Sequence, residues 1–589
     1  MHFPHAGHLN ILLGASLLAA TSAAQAQSTP PSGAPDAGRL LDQTRSALPA
    51  PQPARPVLQA PPASPPAPQD GTLVQVKAFA FSGNSVFTDD ELNRLLADAR
   101  GQTLRWSALR DAVQRITGAY QARGYLVARA VIPRQDLAAA RGVLKVQLLE
   151  GRLGVARVSG ATDLQAQNAV DATLEAQGLQ TGTALRQAPL ERALLLLGER
   201  LGGEAAAALG PGPTLGSTDV LIALPARPQR WQAQLSLDNQ GNRYAGGWRV
   251  SGEAARQGLA TRGDSLGLRA IGAQGLQYLG VAYQMPVGYD GWRLGASASA
   301  LRYTLCCQFD ALGARGDAQT LGFNARYPLV LRARGALTFT AATLVRNSRD
   351  KTNAGTVADK TARNLELGLA FNHAGALAGA AVPTGLLQAG QLVLTLGRLD
   401  LSAVAGAEAA DAAGARTAGS FSKLRLDYQA ALPLSPRTRL SLRLAAQAAA
   451  QNMDSAEKFS LGGLQGVRAW PTGEATGDEG YSLGVEWRQA LAPCASEGCD
   501  GQWFASAFVD TGRIRQHHRP WAGALAASQR NSYNLSGAGL GLSYQSGPWQ
   551  ASLTVARALA NNPGADASGN NSDGRQGRTR GWVQISRSL

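Results

Sequence analysis

Long apolar runs are missing from this chain. Nowhere in its 589 residues is there the stretch of roughly 18 apolar residues that a membrane-spanning helix needs. Charged residues are scarce at 16%, whereas glycine is abundant at 68 residues. A chain of this kind can still cross a membrane as a β-barrel, because only alternate residues then face lipid. The net charge of +15 is not gathered into basic patches interleaved with aromatics, so no nucleic-acid partner is expected. It fits arginines that line a wet lumen and meet anionic lipid at its rim. No phosphate-loop pattern is present, and Gly537-Ala538-Gly539-Leu540-Gly541 reads as a strand with small lumen residues because no helix follows it. His517-His518, the one close histidine pair, has no acidic ligands beside it and reads as a polar loop tip. Cysteine is limited to four residues. Cys494 and Cys499 flank a short turn and would pair in an oxidising compartment, with no further ligands nearby for a metal. Cys306 and Cys307 are adjacent, and either a vicinal disulfide or two thiols fits the sequence. No enzyme, cofactor or metal site is expected.

What is present is alternation. The segments 231–238, 248–259, 263–273, 276–287, 292–305, 316–331, 335–350 and 361–373 read as strands. So do 385–401, 419–434, 438–453, 480–491, 501–515, 533–546, 549–561 and 578–589. Leu424, Leu426 and Tyr428 alternate with Arg425, Asp427 and Gln429, and Leu483, Val485 and Trp487 with Gly484, Glu486 and Arg488. One apolar and one charged face at period two means lipid outside and water inside. About sixteen antiparallel strands over 228–589 enclose an aqueous lumen rather than a filled core. The long connections 306–315, 351–360, 402–418, 454–479, 516–532 and 562–577 then fall on one side, and short turns on the other, with 374–384 and 492–500 longer than typical inner turns.

Five segments precede the barrel. Residues 1–26 read as a secretory signal, with an apolar core from Ile11 to Ala20 and the cleavage site Ala24-Gln25-Ala26. In 27–48, Asp36 caps a short polar helix (36–48) that carries Leu40, Leu41 and Leu48 among Arg39, Asp42, Gln43 and Arg45. Such a helix is marginal in water and should dock. Residues 49–70 are a proline-rich linker. Residues 71–152 then form a small α/β unit: a strand Leu73–Phe81 ended by Gly83-Asn84, helices Thr88–Ala99 and Trp106–Arg123, and strands Leu126–Ile132 and Val143–Leu149 closed by Glu150-Gly151. Residues 153–227 repeat the order, with strand Val155–Ser159, helices Asp163–Ala176 and Pro189–Leu201, and strands Glu204–Leu209 and Thr218–Leu224.

This arrangement resembles the two-partner secretion transporters of the POTRA-plus-barrel superfamily, the outer-membrane pores of the haemolysin-activator and filamentous-haemagglutinin type. In the first unit the resemblance is carried by Gly83-Asn84, Gly124-Tyr125, Ile132-Pro133-Arg134-Gln135 and Glu150-Gly151. In the barrel it is carried by Val467-Arg468-Ala469-Trp470 and by Phe508-Val509-Asp510-Thr511-Gly512. The family's V-R-G-Y/F loop tip has glycine where Ala469 stands. The resemblance implies two POTRA domains in the periplasm of a Gram-negative cell and a barrel in its outer membrane. It also implies that the helix carrying Leu40, Leu41, Arg45 and Leu48 is a plug, and that Arg468 meets Asp510. Independently, Phe508 and Asp510 share one face of their strand, opposite Val509, which aims Asp510 into the lumen. The implied partners are an unfolded secreted exoprotein (haemolysin, adhesin or contact-dependent toxin), outer-membrane lipid and lipopolysaccharide, and the barrel assembly machinery during biogenesis. A barrel assembly factor of the same superfamily is the alternative function, and a passive porin a weaker one.

Overall fold

The computed structural model describes residues 35–44, 73–136, 140–159, 164–224, 231–375, 385–491, 501–525 and 530–589. The expected signal peptide, the proline-rich linker, the Cys494/Cys499 pair, and Arg45 and Leu48 of the helix lie outside them.

In chain order, α1 (Ala37–Asp42) comes first. The first α/β unit holds β1 (Leu73–Gln75), β2 (Ala78–Ser82), α2 (Asp89–Leu95), β3 (Thr103–Arg105), α3 (Trp106–Ala122), β4 (Arg129–Val131) and β5 (Val143–Leu149). The second holds β6 (Arg152–Val158), α4 (Leu164–Ala176), α5 (Gln187–Leu201), β7 (Ala206–Pro211) and β8 (Ser217–Ala223). Both have one topology: the first sheet strand runs parallel to the last, and the strand between them in sequence pairs antiparallel to the last. Amphipathic helices cover one face of each sheet. In α3, Leu109, Val113, Ile116 and Tyr120 lie at helical spacing and are buried against β2 and β5. The expected single strand Leu73–Phe81 is broken. Backbone bonds from Val76 N–H to Gln102 O and from Lys77 N–H to Gly142 O turn the chain there, and β1 pairs with β3 instead. Other boundaries also move: α2 stops at Leu95 rather than Ala99, β4 starts at Arg129 rather than Leu126, β7 runs over Ala206–Pro211 rather than Glu204–Leu209, and the first strand of the second unit starts at Arg152 rather than Val155.

The barrel strands are β9 (Trp231–Asp238), β10 (Arg249–Gln257), β11 (Ser265–Ala273), β12 (Leu276–Val287), β13 (Trp292–Thr304), β14 (Arg315–Arg332), β15 (Gly335–Thr352), β16 (Gly355–Ala374) and β17 (Leu387–Asp400). After the short helix α6 (Ala407–Ala413) come β18 (Gly419–Ser435) and β19 (Thr438–Ala449). A two-stranded ribbon, β20 (Phe459–Ser460) with β21 (Thr476–Gly477), lies inside the loop that follows. The wall is completed by β22 (Glu479–Ala490), β23 (Gln502–Arg515), β24 (Ser532–Ser546), β25 (Trp549–Ala558) and β26 (Thr579–Ser588), which closes on β9. Excluding the ribbon, sixteen antiparallel strands close the barrel. The outer loop expected at 351–360 is instead a tight turn at Asn353-Ala354, because β15 and β16 continue past the lipid band as a protruding hairpin. Arg349 and Asp359 pair across it at 2.6 Å. Polar residues on both faces there erase the period-two signal.

Helix α5 holds the second unit against the near-side turns of the barrel. Arg192 donates to the carbonyls of Pro328 (2.7 Å) and Asp290 (3.0 Å), and Arg200 to that of Gly288.

Candidate functional site: a loop and a helix folded into the barrel

The residues 450–478 that join β19 to β22 fold back into the lumen, because their side chains fit a groove on the inner wall. Phe459, Leu461, Val467, Ala469 and Trp470 pack there with Phe508, Ile514, Leu535 and Ala556. On β23, strict alternation leaves Val509 53% exposed on the lipid face and Asp510 1% exposed on the lumen face. Arg468 reaches Asp510 in fork geometry, with Nε 2.8 Å from Oδ2 and Nη2 2.9 Å from Oδ1, and its backbone N–H donates to Oδ2 at 3.1 Å. Bidentate contact of this kind is the strongest form of the Arg–carboxylate pair. The guanidinium also lies 3.3 Å from the centre of the Phe508 ring.

Sequence reasoning did not name three further partners. Glu486 accepts from Arg468 Nη1, Trp582 Nε1 donates to the Arg468 carbonyl at 2.8 Å, and Arg443 donates to the Leu464 carbonyl at 3.4 Å. Glu486 stands opposite Phe508 in the β22–β23 register, so its lumen face was the available signal. Ala469 is not in the left-handed backbone region, which among the non-glycine residues of its loop is occupied by Ala475 (φ 54°). Its methyl lies against Gly537 of β24, where a Cβ would stand 2.4 Å away. A glycine in the wall thus makes room for the alanine in the loop. Gly512 lies under Leu461 in the same way.

Buried acids hold the rest of the loop. Glu457 pairs with Arg346 (3.1 Å) and Lys423 (2.7 Å), and Asp478 pairs with Lys458. Glu474 accepts from Asn562 and from the Ser572 N–H. His518 closes the neighbouring loop by donating its N–H to Asp478.

Helix α1 sits inside the lumen. Asp36 caps it by accepting from the Arg39 N–H, as its sequence implies. It is shorter than expected, ending at Asp42 with a further turn to Thr44. Ala37, Leu40 and Leu41 pack with Ile271, Leu301, Tyr303 and Phe309. Ala37 N–H donates to Asp350 Oδ1 at 2.9 Å, and Arg39 donates to the Gly473 carbonyl of the folded loop at 3.0 Å. At Gly38 a Cβ would stand 2.4 Å from the Ala456 methyl, so helix and loop touch backbone to side chain. Cys306 and Cys307 are joined to each other beside this cluster, and Cys306 N–H donates to the Tyr244 carbonyl. Leu41 and Thr44 roof a cavity of about 1010 Å³ whose walls carry Arg269, Arg346 and Glu366.

Residues 216–544 match the model of the haemolysin secretion/activation proteins ShlB/FhaC/HecB, and 74–151 that of the ShlB-type POTRA domain. The chain belongs to the ShlB/FhaC/HecB family. Heme/hemopexin transporter protein HuxB of Haemophilus influenzae strain 86-028NP is 26% identical over 499 residues, 83% of this chain and 84% of that one. Outer membrane transporter CdiB of Escherichia coli is 28% identical over 215 residues, 36% of this chain and 35% of that one. Among solved structures, CdiB from Escherichia coli superposes with a TM-score of 0.68 at 20% identity, covering 91% of this chain and 94% of that one. CdiB from Acinetobacter baumannii gives 0.62 at 16% identity, covering 99% and 100%. As a ShlB/FhaC/HecB protein, the chain is an outer-membrane transporter of two-partner secretion that handles a secreted exoprotein. Its POTRA region faces the periplasm, so the loop tips named above are extracellular.

In this ShlB/FhaC/HecB chain the motif residues of the first POTRA unit stand at its joints. Glu150 is buried and accepts from the Ser85 N–H and hydroxyl, from the Val86 N–H (3.0 Å) and from the Tyr120 hydroxyl (2.9 Å). Burial pushes its pKa up, but the bonds from Ser85, Tyr120 and Val86 outweigh that and hold it below the ordinary carboxyl value. Burial and the Glu150 charge push the Tyr120 phenol up. Gly83 and Gly151 adopt positive φ (80° and 77°), and Asn84 donates to the Phe87 carbonyl and to Asp89. The Gly124 carbonyl accepts from Gln187 N–H of the second unit at 2.8 Å, and Tyr125 packs edge-on against Tyr120. Gln135 takes over the β4 side of β5 where β4 pairing stops, bonding both the N–H and the C=O of Lys145 at 2.9 Å and the Pro133 carbonyl at 3.2 Å.

Replacing Glu150 by Gln is expected to cost this unit about 2–3 kcal/mol, since charge-assisted bonds become neutral or are lost. Faster trypsin cleavage of the POTRA region in the detergent-solubilised chain reads this. Because the folded pKa is lowered, the carboxylate's contribution is fully present above about pH 4.3 and fades as pH falls through the lower folded value. Wild type and variant should therefore converge only in acid.

Proposed function

We propose that the chain exports an unfolded exoprotein of the haemolysin, adhesin or contact-dependent toxin type through its lumen, without catalysis. The observation that carries this reading is that two tethered segments, α1 and the 450–478 loop, fill a polar barrel that is otherwise wide enough for a chain. At rest they close it. In transport, α1 leaves on its proline-rich tether and the loop shifts from its Arg468–Asp510 seat. The exoprotein meets the POTRA units first, adding an extended strand to an open sheet edge, where backbone hydrogen bonds give affinity without demanding a sequence. Folding outside the cell makes passage one-way. The periplasm holds no ATP, so folding and binding supply the direction. Lipopolysaccharide surrounds the rim, and the barrel assembly machinery inserts the protein.

A photo-crosslinker tests the route. Placed at Gln391, which lines the lumen, it should capture the exoprotein during export. At Leu394 on the lipid face it should not. Capture at neither site, with export intact, contradicts passage through the lumen.

A further inference from the structure

Two arginines on the lipid face play no part in the closure. Arg363 of β16 and Arg398 of β17 are direct register partners, and both are exposed. Cross-strand like charges are unfavourable, with their Cβ atoms only about 5 Å apart. Asp400 lies beyond Arg398 on the same face within electrostatic reach of both guanidiniums, but it is one carboxylate against two cations, and its Oδ1 is also engaged by the backbone and hydroxyl of Ser402. Arg349, on the same flank of the barrel, already has Asp359 at 2.6 Å. Below the arginine pair the face turns aliphatic, with Leu365 opposite Leu396. It ends at the neighbouring rings of Phe371 and Tyr428, tilted by 33° with centroids 6.2 Å apart. From Arg363 to Phe371 the strand advances eight residues, about 20 Å along the membrane normal at the usual rise and tilt. The pair therefore stands at the extracellular edge of the lipid band, where the headgroups of the outer leaflet lie.

We propose that Arg363 and Arg398 bind the phosphorylated disaccharide of lipid A. Two guanidiniums side by side match phosphate oxygens bidentately, and the acyl chains lie along Leu365 and Leu396 below. An anion there neutralises the positive charge that the single Asp400 carboxylate leaves uncompensated. The site rests on the outer-membrane placement, which heat-modifiable migration of the inserted barrel reads separately.

The test uses the full chain in nanodiscs, with retained lipid counted by native mass spectrometry. Wild type should retain bisphosphorylated lipid A about tenfold better than the Arg363→Gln/Arg398→Gln variant, the size of effect expected for lost charge-assisted contacts. Fully dephosphorylated lipid A should be held equally poorly by both, and inorganic phosphate should not displace the bound lipid. Arg349→Gln should behave as wild type. If the double variant fails to insert, each single change should lower retention about threefold. Equal retention of bisphosphorylated lipid A by wild type and variant overturns the proposal. So does equal binding of the dephosphorylated lipid by wild type, displacement by free phosphate, or a comparable loss in Arg349→Gln.

Discussion

Arg468→Ala should leave the barrel in the membrane and lower export of the exoprotein by about an order of magnitude or more. The reason is local. Asp510 is almost fully buried, and its three closest donors all belong to Arg468. Truncation removes two of these and the cation that forks onto the carboxylate, and leaves Asp510 facing Phe508 and Glu486 with Arg443 as its remaining nearby cation, a situation that costs at most about 3–5 kcal/mol. The loop then loses its seat beside Gly537 and Trp582, while the hydrogen-bonded wall stays intact. Arg468→Lys should rescue little, because an ammonium cannot make the fork and the Glu486 contact together. Adding Asp510→Asn to Arg468→Ala should restore thermal stability without restoring export, which separates the cost of a buried charge from the function of the loop. Export assayed beside heat-modifiable migration checks all three. Undiminished export by inserted Arg468→Ala would remove the lock from the mechanism.

Gly38→Leu should open the pore. The Gly38–Ala456 contact leaves no room for a side chain, and overpacking by several methylenes costs about 1–3 kcal/mol. A helix of six residues has little of its own stability to set against that. Its hold includes the burial of Leu40 and Leu41 and bonds to Asp350 and Gly473. Leu40→Asp, which sets an unpaired charge in that cluster, should open it further. In planar bilayers both variants should show a higher mean conductance and longer open times than wild type. Wild-type conductance in both would mean that α1 does not obstruct the pore. The same contact makes a second expectation: because Ala456 belongs to the loop that carries Arg468, Gly38→Leu should also raise the protease sensitivity of 450–478.

Much of the barrel was legible because lipid and water impose period two on every strand that separates them. β9 and β12 run over the residues that alternation marks, Trp231–Asp238 and Leu276–Val287. Legibility ends where that constraint ends. Above the lipid, Asp350, Lys351, Asp359 and Lys360 have water or protein on both sides, so β15 and β16 continue with no apolar face to betray them. The break between β1 and β2 was hidden for another reason. It is made by backbone bonds to Gln102 and Gly142, distant in sequence, with no glycine or proline at the bend. Arg468 and Asp510 could be paired through the family resemblance and the lumen face of Asp510. The buried acids Glu457, Glu474 and Asp478 could not, since Glu457 and Glu474 find partners on other strands or loops, Asp478 meets Lys458 from the far end of its own loop, and nothing local marks any of them. Trp582 also lacks a local signal, although its inward position on β26 follows from the outward Val583 and Ile585 beside it.

The most direct test is appearance of the exoprotein at the surface of cells with and without this chain, with assembly of the other outer-membrane barrels followed in the same cells. A transporter predicts that the exoprotein reaches the surface only when the chain is present, while the other barrels assemble normally in both. Export that persists without the chain, or a general failure of barrel assembly in its absence, would contradict it.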